Sequence, residues 1–139
     1  MSTITPLDEE YVYEGSVIIS QTDINGFITY ANRNFCKVSG YTRDELIGKP
    51  QNLIRHPHMP KEAFSKMWEI ISGGQAWNGQ IKNLRKDGLY YWVDTEILPI
   101  VDDENNVTGY IAARKAPSKK AVEEAEELYI KMLEAESKE

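Results

Sequence analysis

Alternating apolar and polar positions divide the chain into strands, and a wider spacing marks its helices. Ser16 to Thr22 and Phe27 to Ala31 are rich in β-branched and aromatic residues, with Asn25-Gly26 between them as a hairpin turn. Phe35 and Val38 are spaced to face a core from a short helix that Gly40 stops. Thr42 and Glu45 then match a capping box, and Gly48-Lys49-Pro50 ends the helix it opens. The clearest helix begins at Pro60. It carries Phe64, Met67, Trp68 and Ile71 on one face and stops at Gly73-Gly74. Three strands come next, in "AWNGQIKNLR", "LYYWVDTEILPI" and "VTGYIAARKA", separated by the turns "KDG" and "DDENN". Hairpin connections this short cannot carry parallel crossovers. The pattern therefore predicts an α+β fold around a five-stranded antiparallel sheet.

The last stretch has a different rhythm. Ala121, Ala125, Leu128, Met132 and Ala135 recur at steps of four and three residues, and Val122, Tyr129 and Leu133 widen the stripe. Ser118 can cap it. This predicts an amphipathic C-terminal helix with one buried face. The chain thus divides into an N-terminal cap or flexible segment over 1–15, a domain over 16–116 and the helix over 117–139.

Composition narrows the classes. A chain of 139 residues is the size of one domain and can bury roughly two-thirds of its unfolded surface. The net charge of −6 argues against a nucleic-acid face, which needs clustered Lys and Arg. No apolar run approaches the roughly 20 residues that span a bilayer, so direct membrane insertion is not expected. The N-terminus lacks the basic and apolar regions of a signal peptide. A single cysteine, Cys36, cannot build a disulfide framework or a Cys-based zinc site, and it fits a reducing cytoplasm.

Candidate chemistry gathers in "NLIRHPHMPKEAF", which holds Arg55 and the chain's two histidines, His56 and His58. Arg55 carries a planar fork suited to phosphate oxygens or a ring carbonyl; the alternative is a solvated loop arginine. His56 can touch a ligand, serve as an axial haem ligand, or fix its loop through a backbone hydrogen bond. Two histidines two apart, with no Cys or carboxylate cluster beside them, do not make a metal set. Trp77 and Asn83 lie six apart on one predicted strand and share a face, whereas Tyr91 and Trp92 face opposite ways. Phe64, Trp68 and Tyr91 are core or pocket aromatics. No nucleophile–base pair and no phosphate-cradling glycine loop stands out, so an enzyme is not expected.

Taken together, "TDINGFITYANRNFCKVSGYTRDELIGKP" and "WNGQIKNLRKDGLYYWV" resemble the two halves of a PAS domain. The stretch "RHPHMPKEAFSKMW", with "AWNG" and "KNLRKDGLYYWV", is similar to the PAS domain of bacterial aerotaxis receptors. A redox regulator of nitrogen fixation shares the Trp-x-Gly and Asn-x-Arg-Lys patterns. The resemblance implies the PAS fold, with short helices on one face of the sheet and the C-terminal helix added. It implies non-covalent binding of FAD and redox sensing in chemotaxis-type signalling. It points to Arg55, His56, His58, Trp77, Asn83, Asn32, Phe64, Trp68 and Tyr91 as cofactor-binding candidates. That family carries an acidic residue where this chain has His58. A neutral imidazole there keeps a hydrogen bond but brings no fixed negative charge. The photoreactive cysteine of light-oxygen-voltage domains has no counterpart, since the corresponding place is "GKPQN", with Gln51. The implied partner is a chemoreceptor-type signalling protein or downstream signalling segment, with a homodimer as a further option; the setting is cytoplasmic, with membrane association only through a partner or another segment. The alternatives are a cofactor-free PAS dimerisation or interaction module and a haem-binding PAS gas sensor.

Overall fold

The computed structural model describes residues 4–138. It has strands β1 (Ile18–Asp23) and β2 (Ile28–Ala31), then helices α1 (Arg33–Ser39) and α2 (Arg43–Leu46). A 3-10 turn (Gln51–Ile54) leads to α3 (Lys61–Ser72). Strands β3 (Trp77–Leu84), β4 (Tyr90–Val101) and β5 (Val107–Lys115) precede α4 (Lys119–Ser137). All strands pair antiparallel in one five-stranded sheet of order β2-β1-β5-β4-β3. The fold is the predicted α+β arrangement.

Local chemistry sets the turns. Asp23 Oδ1 accepts from the Asn25 and Phe27 amides at 2.9 and 3.0 Å, closing the first hairpin. Gly26 takes φ of 86°, and an added Cβ would meet the Trp68 ring at 3.2 Å, so the turn must be both left-handed and bare. Thr42 and Glu45 form the predicted capping box, and Gly40 at φ 82° ends α1.

One face of the sheet carries the core. Ile18, Ala112, Tyr110, Tyr91, Val93, Ile97 and Ile81 meet Phe35, Val38, Leu46, Ile54, Phe64, Met67 and Ile71 from the helical side. The opposite face receives α4. Tyr129 stacks on Trp92 with ring centroids 6.3 Å apart and an 8° interplanar angle. The Tyr129 hydroxyl donates to the Gln80 carbonyl at 2.5 Å, on the outer rim of β3. At the far end of α4, the Glu136 carboxylate accepts from the Lys61 and Glu62 amides at 3.2 and 3.0 Å. Pro60 leaves α3 without a side-chain cap of its own, so Glu136 supplies one.

The segment before β1 is a cap held by the backbone. Leu7 donates to Gly88, Tyr11 donates to Tyr90, and Tyr90 donates to Glu9. It occupies the start of β4 that β5 does not reach, since pairing with β5 begins at Asp94. Tyr13 is buried behind it. Residues 1–3 of that segment, and residue 139 of the C-terminal one, lie outside the described residues.

Candidate functional site

A cavity of about 250 Å³ opens between the helical layer and the inner face of β3, β4 and β5. Its apolar walls are Ile54, Phe64, Met67, Trp68, Ile81 and Ile97. A smaller lobe of about 40 Å³ shares Gln51, Met67, Trp68, Ile97 and Arg114 with it and so adjoins it.

Strand geometry brings Arg55 and Asn83 together. Arg55 forms an isolated antiparallel bridge with Asn83 on the outer rim of β3, and both line the cavity. The guanidinium of Arg55 lies 3.6 Å from the centroid of the Phe64 ring. Burial lowers its pKa, and its Nε is enclosed without a partner. Asn83 is 3% exposed and stands opposite Tyr91 in the β3–β4 register. Trp68 meets Tyr110 edge-on at 5.4 Å.

Five of the predicted residues lie outside the cavity lining, each for a physical reason. Asn32 caps α1: its Oδ1 accepts from the Phe35 amide at 2.9 Å and its Nδ2 donates to the Val17 carbonyl at 3.1 Å. Both ends of the amide are thus occupied. His56 is 2% exposed and performs the loop role. Its Nδ1 accepts from the His58 amide at 3.0 Å, and its own amide donates to the Lys82 carbonyl at 3.4 Å. Burial above all, then the Lys82 and His58 charges, lowers its pKa to about 4, so the ring is neutral. His58 is exposed, its ring 4.8 Å from that of His56. Trp77 shares the face of Asn83, but six residues of strand separate them by about 20 Å. Its indole lies over Gly79, where a Cβ would sit 2.5 Å from the ring. That is the physical sense of the Trp-x-Gly spacing. Tyr91 lies behind the cavity, fully enclosed. Burial pushes its hydroxyl up to about 12, against the lowering influence of Arg114 and of the neighbouring Asn83 amide, which lies near the hydroxyl but outside strict hydrogen-bond geometry.

Other lining residues carry polar groups that sequence reasoning passed over. Both amide atoms of Gln51 and the hydroxyl of Thr95 are buried without partners. Arg114, at the junction of cavity and lobe, stands opposite Thr95 in the β4–β5 register. Alternation of Tyr110, Ala112 and Arg114 along β5 already places Arg114 on the inner face. That was the available signal.

A family model described as PAS fold matches residues 28–114. This chain belongs to the PAS-fold family. The PAS domain is 41% identical over 125 residues to an aerotaxis receptor of Escherichia coli (strain K12), covering 90% of this chain and 24% of that protein. It is 35% identical over 104 residues to a nitrogen fixation regulatory protein of Klebsiella pneumoniae, covering 75% of this chain and 21% of that one. The chain thus spans about a quarter of the curated relatives it matches, or less. Among solved structures, the light-state blue-light photoreceptor Aureochrome1 LOV superposes with a TM-score of 0.71 at 23% identity, covering 78% of this chain and 91% of that one. A structure concerned with a flavin analogue and the light-oxygen-voltage domain mechanism gives a TM-score of 0.70 at 26% identity, covering 79% and 86%. No helix among the described residues is long and apolar enough to cross a membrane.

Proposed function

We propose that this PAS domain binds FAD non-covalently in the cavity between α3 and the sheet and reports redox state to a chemotaxis-type signalling partner. One observation carries the reading. Buried polar atoms without partners converge on a single apolar-walled cavity: both ends of the Gln51 amide, Arg55 Nε and Thr95 Oγ1. Such atoms are costly to keep unless something else satisfies them. The set mixes donors and acceptors, which suits a flat heteroaromatic ring edged with carbonyls and ring nitrogens. The cavity of about 250 Å³ is slightly smaller than the usual small-molecule site of about 300 Å³ or more. It suits a ring system, with the rest of a dinucleotide left outside.

The fit extends to named residues. Gln51, Asn83, Thr95 and Arg55 would hold the polar edges, and Phe64, Met67, Trp68, Ile81 and Ile97 would cover the faces. When bound, the flavin supplies reversible electron transfer, which no side chain here provides. The Asn83 amide offers a donor and an acceptor, so it can serve a ring atom before and after that atom gains a proton. The similarity to an aerotaxis receptor and a nitrogen fixation regulator favours a sensing role. The flavin-analogue structure among its neighbours favours the ligand class. The partner is a chemoreceptor-type signalling protein or downstream segment in the cytoplasm.

Absorption spectroscopy of the purified chain tests this directly. A flavin spectrum is expected, with FAD as the nucleotide released on denaturation. Asn83→Leu is expected to lower FAD occupancy while the far-UV spectrum stays unchanged. A chain that remains colourless after refolding with FAD refutes the proposal, and a Soret band would replace flavin with haem.

A further inference from the structure

Arg114 is a buried cation that no carboxylate compensates. It is 4% exposed. Its Nη1 donates to Ser20 Oγ at 3.0 Å, and its guanidinium carbon lies 5.2 Å from the Phe35 ring centroid. Among the described residues the guanidinium reaches no other acceptor and forms no ion pair. The Tyr91 and Tyr13 hydroxyls lie near enough to act on its charge but outside hydrogen-bond geometry with it, so one bonded hydroxyl and one distant ring leave most of a five-donor fork unused, in a place where desolvation is expensive. Burial pushes its pKa down to about 10, which leaves the charge in place at neutral pH. The fork sits at the junction of the cavity and its lobe, across from the partnerless Thr95 hydroxyl. Asn83 and Arg55 line the same cavity from the β3 side.

Resting on the flavin reading, we propose that Arg114 recognises the ring of the cavity's occupant, taking an electron-rich oxygen, a carbonyl or a deprotonated imide edge, onto its free N–H groups. Beyond its bond to Ser20, the fork keeps its charge and its remaining N–H groups for a partner that the ligand supplies. A structural role predicts the opposite behaviour. If Ser20 and Phe35 were the purpose of Arg114, removing the charge would weaken the empty fold.

The test compares wild type with Arg114→Met and Arg114→Lys, each stripped of flavin. Thermal unfolding is measured alone, and binding is measured with FAD and with riboflavin, which lacks phosphate. Arg114→Met is expected to unfold at the same or a higher temperature than wild type when empty, and to bind both flavins at least tenfold more weakly. Arg114→Lys is expected to fold and to bind with intermediate strength, since it keeps the charge without the fork. An empty Arg114→Met that unfolds earlier, or does not fold, overturns the inference. So does flavin binding within twofold of wild type. Weakening seen with FAD but not riboflavin overturns it as well, because the contact would then be to phosphate. A wild type that binds neither flavin refutes the FAD reading. Arg114 is then judged by the empty-protein comparison alone: greater stability of Arg114→Met supports a recognition role for another ligand, and lower stability refutes it.

Discussion

Glu136 ties the end of α4 to the start of α3, and its removal has a calculable effect. The carboxylate accepts two amide hydrogen bonds, from Lys61 and Glu62, at 3.2 and 3.0 Å. A side-chain cap is worth about 0.5–2 kcal/mol, and a negative charge at a helix N-terminus adds about 0.3–1 kcal/mol. These bonds are solvent-accessible and Glu136 comes from another helix, whose ordering offsets part of the gain. Glu136→Ala should therefore cost about 1 kcal/mol, the lower part of that range. For a chain of this length that corresponds to a Tm lower by about 4 °C. Glu136→Gln keeps an acceptor and loses the charge, so roughly half the loss is expected. Thermal unfolding followed by circular dichroism gives the magnitude. Hydrogen exchange gives the location: the Lys61 and Glu62 amides should lose protection while the β4 and β5 amides keep theirs. Unchanged protection of those two amides in Glu136→Ala would refute the capping role, whatever the Tm.

Three further outcomes follow from the same geometry. Gly79→Ala places a Cβ 2.5 Å from the Trp77 ring, so the indole must leave its seat at about 1–3 kcal/mol; a changed tryptophan emission with lower stability is expected, and an unchanged emission would show that the indole does not lie over Gly79. Thr95→Val removes a buried hydroxyl that has no partner, so the empty protein should gain stability or keep it within about 1 kcal/mol, and a larger loss on chemical denaturation would reveal a hidden partner. For His56, the folded-state pKa of about 4 lies below the unfolded value of 6.5. Its contribution is therefore complete above pH 6.5 and declines as pH falls toward 4, by at most about 3 kcal/mol. The slope of stability against pH across that window should flatten in His56→Gln, and an identical slope would place the proton elsewhere.

Local signals in the sequence were strong enough to draw most of the fold. Asn25-Gly26, the Thr42–Glu45 box, Gly40 and the period-two strands each act within a few residues, and each appears where expected. The site was harder to read because its chemistry is decided at long range. Asn32 has the right residue type for a ligand contact, yet the first turn of α1 uses its amide. His56 and His58 are near neighbours in sequence, but Lys82 on β3 draws one inward and leaves the other in water. Arg55 joins Asn83 only because a loop adds itself to the rim of an edge strand. Arg114 and Thr95 were legible by strand parity. A charge and a hydroxyl facing inward became informative only once the surroundings showed that neither is compensated. Gln51 gave no such signal, since its short 3-10 turn follows no period.

The last strand of any open sheet offers its outer backbone groups to whatever strand arrives next. In this molecule β2 and β3 are the two edge strands, and β3 has two of its outer carbonyls occupied. The Gln80 carbonyl is taken by the Tyr129 hydroxyl, and the Lys82 carbonyl by the His56 amide. One guard comes from the C-terminal helix and the other from the loop whose preceding residue, Arg55, lines the cavity. Lifting either guard would return one β3 carbonyl to solvent. The His56 amide therefore holds two things at once: a carbonyl on the rim of β3 and the loop that carries Arg55 to the cavity.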